Sequence, residues 1–139
     1  MAGTPEQELG STLQLKLDAN GLITAVSVDA DTHQTLMVAF MNAAALEKTL
    51  ATGKATYWSR SRQKFWVKGE ESGNTQEVVG VFIDCDQDAV IVKVRQKGAA
   101  CHNGFASCFY RQVVAGENGG LKLQTIARPL MNPEEMYPK

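Results

Sequence analysis

The chain has 139 residues, 44% of them hydrophobic and 21% charged, with a formal net charge of −1. That balance fits one soluble domain with a real core, and it excludes a global basic field that would recruit nucleic acid or an anionic membrane. No stretch approaches the ~20 apolar residues that a membrane span needs.

The N-terminal segment MAGTPEQELGST has no basic region followed by an apolar run, so it does not read as a secretory signal. Residues 1–12 are read as a flexible polar leader, 13–130 as a single domain and 131–139 as a polar tail. The expected location is the cytoplasm, where thiols stay reduced. Leu13, Leu15 and Leu17 alternate, Asn20-Gly21 is a strong turn signal, and Ile23 to Val28 resume an extended pattern; together they predict a hairpin. Thr35 to Met41 is a continuous apolar run, compatible with a strand buried on both faces. Asn42 caps a helix over AAALEKTLAT, with Ala43, Leu46 and Leu50 at helical spacing and Gly53 placed to end it.

The segment KATYWSRSRQKFWVKG predicts two extended pieces around a basic turn. Arg60, Arg62, Lys64 and Lys68 are interleaved there with Tyr57, Trp58, Phe65 and Trp66. Arginine forks suit phosphate, and rings such as Trp58 suit stacking on a base. A charged hairpin with its tryptophans in the core is the plain alternative. EVVGVFIDCD and AVIVKVRQ predict two further strands, and SCFYRQVVA and LKLQTIARP are expected to finish the sheet. Many antiparallel strands with one main helix and no regular βαβ alternation predict an α+β fold, mostly antiparallel.

The turn DCDQD between two of those strands offers both hard and soft metal ligands. On a strand Asp84 and Asp86 share a face and Cys85 points the other way. Left straight, the segment would hold Asp84 and Asp88 roughly 13 Å apart. A bend at Gln87 would bring the three carboxylates together, as suits Mg²⁺. Cys85 must then look elsewhere, and CHNGFASC supplies Cys101 and Cys108, with Gly104 letting the loop curl. Three cysteines cannot all pair in one chain. Three thiolates would bind Zn²⁺ and leave a fourth position open, the catalytic pattern. His102, beside Cys101, is the candidate base. Each piece also has a bland reading: a lone cysteine as a small buried hydrophobe, the aspartates as a solvated turn, the histidine as packed or exposed. The C-x15-C-x6-C spacing matches no common zinc finger.

Taken together, LMVAFMN, TGKATYWSRSRQKFWVKGEESGN, DCDQDA and GAACHNGFASCFYR, in that order over Leu36 to Arg111, resemble the phosphoribosyl-AMP cyclohydrolase family of histidine biosynthesis. The resemblance implies zinc held by Cys85, Cys101 and Cys108, and magnesium held by Asp84, Asp86 and Asp88. It implies an intertwined homodimer in which the first cysteine is contributed across the interface. The implied reaction is hydrolysis of the N1–C6 bond of the purine of 1-(5-phosphoribosyl)-AMP by a water activated on zinc, with His102 as base or proton relay. Arg60, Arg62 and Lys68 would hold phosphate or ribose oxygens, assisted by Ser59, Ser61 and Ser72. The chain departs from the family pattern at Asn74, where a histidine is usual, and at Phe105 and Ala106, where two arginines are common. With no room for the pyrophosphohydrolase domain fused in some organisms, a single step is expected. The competing function is a zinc-containing module that binds single-stranded nucleic acid. A structural-zinc scaffold is the third reading.

Overall fold

In the computed structural model, which describes residues 3–136, the chain opens with one helical turn, α1 (Pro5–Leu9). Of the expected leader and tail, residues 1–2 and 137–139 lie outside the described residues. Strands β1 (Ile23–Asp29) and β2 (Thr35–Met41) are followed by helix α2 (Ala43–Thr52). Three hairpins come next: β3 (Thr56–Ser59) with β4 (Lys64–Val67), β5 (Gln76–Ile83) with β6 (Ala89–Gln96), and β7 (Arg111–Ala115) with β8 (Leu121–Thr125). The short helix α3 (Pro133–Met136) follows. The fold is α+β with mostly antiparallel pairing. The exception is central: in the sheet order β2-β1-β6-β5, β1 and β6 run parallel. No helix among the described residues is long and apolar enough to cross a membrane.

Helix α2 has the expected ends. The Asn42 side chain accepts from the Ala45 amide, and Gly53 closes the helix in the left-handed region at φ 73°, where glycine carries no Cβ penalty. The buried face is Ala45, Leu46 and Thr49, not Ala43, Leu46 and Leu50; Leu50 is 62% exposed. The Thr49 hydroxyl turns the helix that way. Its oxygen lies 2.9 Å from the Ala45 carbonyl, 3.0 Å from the Thr56 carbonyl and 3.0 Å from the Thr56 amide, tying α2 to β3.

Three other expectations are corrected. The Leu13–Val28 hairpin does not form, because both edges of β1 are occupied, by β2 and by β6. Leu13–Leu17 runs instead past the β5–β6 turn, where the Lys16 amide donates to the Gln87 carbonyl at 2.8 Å. β7 and β8 pair with each other and join no larger sheet. The β2 carbonyls at Thr35 and Leu36 are already taken by Ser107 and Cys108. β2 itself buries Met37, Ala39 and Met41 on one face, but Val38 on the other is 46% exposed.

The core lies where that buried sheet face meets α2 and the β3–β4 hairpin, around Ile23, Met41, Tyr57, Val92 and Val94. Inside it the Tyr57 hydroxyl donates to Gln76 Oε1 at 2.7 Å, and Gln76 Nε2 donates to Ser27 Oγ at 3.2 Å. Burial pushes the Tyr57 phenol far above its ordinary value of 10.0, and hydrogen bonding with Ser27 offsets only part of this. The unfolded phenol ionises near pH 10 while the folded one keeps its proton, so stability present below pH 10 falls as the pH rises. The slope from this group alone is about 1.4 kcal/mol per pH unit. Tyr57→Phe is expected to cost about 1–2 kcal/mol at pH 8 by orphaning Gln76, yet to flatten the loss above pH 10. Urea midpoints at pH 8, 10 and 11 measure both.

Candidate active site

The β5–β6 turn bends where the sequence placed the bend. Gln87 adopts φ 60°, the Asp84 carboxylate accepts from the amides of Asp88 at 3.0 Å and Ala89 at 3.2 Å, and the ladder resumes at Ala89. The ligand oxygens of Asp84, Asp86 and Asp88 all lie within 4.8 Å of one another. Desolvation pushes Asp84 up, but hydrogen bonds with Asp88, Ala89 and Asp86 together outweigh it and hold its carboxyl below the usual range. The Asp88 carboxyl is raised, first by its hydrogen bond with Asp84 and then by that with Asp86. Three carboxylates this close do not all ionise freely without a cation among them. Lys16 supplies one from the chain itself, 3.8 Å from Asp86.

Gln87 also pins the N-terminal arm. It is buried, its Oε1 accepts from the Gln14 amide at 2.7 Å, and its Nε2 donates to the carbonyls of Gln7 at 2.9 Å and Thr12 at 3.3 Å. The structure thus ties part of the predicted leader down on the acidic turn. The sequence carried no sign of this, because the partners lie more than seventy residues apart.

The cysteine loop curls as Gly104 allows. That residue has φ 87°, and a Cβ there would collide with the Met131 carbonyl. Cys101 is buried and Cys108 exposed. Ser107, overlooked from sequence, fixes the second cysteine. Its buried hydroxyl donates to the Thr35 carbonyl at 2.6 Å and accepts from the Phe109 amide at 2.9 Å, while the Cys108 amide donates to the Leu36 carbonyl at 2.7 Å. Desolvation of the thiol, the adjacent Cys101 sulfur and a hydrogen bond with it push Cys108 up to about 11, against the pull of Lys68. Burial lowers the Lys68 ammonium, against the opposite pull of the Cys108 and Cys101 thiols. Two thiols and one buried cation therefore form a group.

Cys85 does not join them. Within one chain the described residues bring three candidate ligands together only at the aspartates, and Cys85 sits exposed at the tip of its hairpin. Two adjacent thiols fit a soft divalent ion, and Cys85 of the same chain does not stand with them. His102 is exposed and makes no side-chain hydrogen bond among the described residues.

The basic hairpin divides. Ser59, Arg62, Lys68 and Ser72 line one cavity of about 250 Å³, together with Lys64, Trp66 and Glu71. Lys68 thereby places the thiol pair at the edge of that cavity. Arg60, Ser61 and Trp58 do not line it: Arg60 stacks on Phe40 at 4.0 Å, and Trp58 meets Phe65 edge-on at 5.0 Å. Ser61 stays beside Ser59, their hydroxyl oxygens 3.4 Å apart. Asn74 is buried, its amide nitrogen 3.7 Å from the Met131 sulfur. Phe105 stacks on Tyr110, with centroids 3.6 Å apart.

The family model for phosphoribosyl-AMP cyclohydrolase matches residues 37–110. A phosphoribosyl-AMP cyclohydrolase of Hyphomonas neptunium is 55% identical over 116 residues, covering 84% of this chain and 88% of that one. That of Nitrobacter winogradskyi is 52% identical over 95% of this chain and 92% of its own. That of Bradyrhizobium diazoefficiens is 53% identical over 99% of each.

Proposed function

Because the chain belongs to the phosphoribosyl-AMP cyclohydrolase family, a group of hydrolases in histidine biosynthesis, we propose that it opens the adenine ring of 1-(5-phosphoribosyl)-AMP by hydrolysis in the cytoplasm. The observation that carries this reading is the Cys101–Cys108 thiol pair set against Lys68 at the edge of a basic cavity.

Cys101 and Cys108 of one chain and Cys85 of a second would hold zinc. Zinc at such a site supplies a Lewis acid that acidifies water. The remaining chemistry belongs to the chain. The oxygen of water adds to C6, the C6–N1 bond breaks, C6 becomes a carboxamide and N1 leaves with a proton. His102, exposed at the surface of the cysteine loop, takes the proton from the incoming water or delivers it to N1. Arg62, Lys64 and Lys68 bind phosphate oxygens, with Ser59 and Ser72 as further donors. Arg60, Ser61 and Trp58 play a lesser part, in keeping with their place outside the cavity. The aspartate trio would hold magnesium, which would supply positive charge for substrate phosphate.

A homodimer is supported by the isolation of Cys85 in its own chain. It is also supported by the outer face of the sheet, where Val38, Val26, Ile91 and Phe82 stand in register across all four strands. Val38, Ile91 and Phe82 are 46%, 43% and 53% exposed. A contiguous apolar row of this kind marks an association surface.

The direct test is conversion of phosphoribosyl-AMP to the formimino product by folded, zinc-loaded protein. Absence of turnover overturns the function. A finer test is Ser107→Ala, which frees the backbone before Cys108. Zinc affinity, measured by chelator competition, is expected to fall about tenfold, and Ser107→Thr, which keeps the hydroxyl, to recover most of it. Unchanged affinity in Ser107→Ala removes Ser107 from the site.

A further inference from the structure

A second cavity lies where α2, β3 and β4 meet. It measures about 540 Å³ and is lined by Lys48, Thr52, Lys54, Thr56, Phe65, Val67 and Glu70. It shares Phe65, Val67 and Glu70 with the basic cavity beside Lys68, so the two adjoin at these residues. We propose that this second cavity binds the other phosphate of the substrate, with Lys48 and Lys54 as its cations. The proposal rests on the function given above: phosphoribosyl-AMP carries one phosphate on each of two riboses, at opposite ends of a purine. One cluster of cations serves one end, and the other phosphate needs its own.

Lysines near the end of a helix have an ordinary explanation, since they bond its last carbonyls and offset its dipole. Here two of the carbonyls near that end are already served. The Lys48 carbonyl accepts from the Thr52 hydroxyl at 2.7 Å, and the Thr49 carbonyl accepts from the Gly53 amide at 3.0 Å. The Lys48 ammonium lies instead 5.0 Å from the centre of the Phe65 ring, at the border between the two cavities. The Thr52 hydroxyl also accepts from the Lys54 amide at 3.1 Å, which holds the backbone of the second lysine in place. Neither lysine forms an ion pair among the described residues. The helix end opposes an anion with roughly half an elementary charge, against two full ammonium charges.

Glu70 is the one carboxylate in the second cavity, and it faces the first as well. An acceptor between two basic clusters matches a ribose hydroxyl between phosphate and purine. Cations on either side of this acceptor complement the two terminal phosphates of the substrate.

The test is the KM for phosphoribosyl-AMP on the metal-loaded protein, with kcat measured beside it so that binding is read apart from chemistry. The double variant Lys48→Met/Lys54→Met is expected to bind at least tenfold more weakly with an unchanged melting temperature. Lys48→Arg/Lys54→Arg is expected to bind nearly as well as the parent protein. Of the two substrates that lack one phosphate, one is expected to bind the parent and the Met variant equally. A Met variant that binds the full substrate as tightly as the parent overturns this site alone. A parent protein that binds no phosphoribosyl-AMP overturns the function, and this site with it.

Discussion

Cys85→Ala and Cys101→Ser proteins are each expected to be inactive alone, yet to regain about a quarter of the parent activity when unfolded together and refolded as an equal mixture. The figure follows from where the thiols sit. In one chain Cys85 stands apart from the Cys101–Cys108 pair, so each complete site would draw Cys85 from one protomer and the pair from the other. A mixed dimer then has one site lacking both altered thiols and one lacking neither. Random pairing makes about half the dimers mixed, each with one working site of two. If each site were completed within its own chain, mixing would restore nothing. Zinc per dimer, measured beside turnover, is expected to rise in step with activity. Each single variant should lose activity at least a hundredfold, because two thiolates hold zinc far more weakly than three.

Placing aspartates on the outer sheet face, as Val38→Asp/Ile91→Asp, is expected to give a folded monomer without activity. Both residues are close to half exposed in the single chain, so the change costs the protomer less than it costs the interface. In a two-fold dimer each residue is buried twice, and each burial of a Val or Ile contributes about 1.5–3 kcal/mol. Replacing these contacts by like charges that face each other across the axis removes several kcal/mol of association. Sedimentation and circular dichroism distinguish this from unfolding. A dimer that persists with full turnover places the interface elsewhere, the exposed β7–β8 hairpin, with Val113 61% and Leu121 80% exposed, being the next surface to alter.

What could be read from the residues alone was what neighbours in the chain decide. The ends of α2 at Asn42 and Gly53, the β3–β4 and β5–β6 hairpins, and the bend that gathers Asp84, Asp86 and Asp88 all follow from side chains within a few positions of one another. Capping, turn chemistry and strand alternation act over that range. The signatures around the three cysteines, which announce the family, are local in the same way. The errors in strand pairing were long-range. Leu13–Leu17 alternates like a strand, but β1 had already been claimed by β2 and, in parallel, by β6 more than sixty residues on. SCFYRQVVA reads as a strand of the main sheet, but Ser107 and Cys108 take up the β2 carbonyls before it can pair. Only the tertiary structure could turn Arg60 onto Phe40, bury Lys68 against the thiols and leave Cys85 without company in its own chain. The competition for strand edges and for buried volume has no counterpart in local sequence, because it is settled by whichever distant segment satisfies the same hydrogen bonds and apolar surface at the lowest free energy.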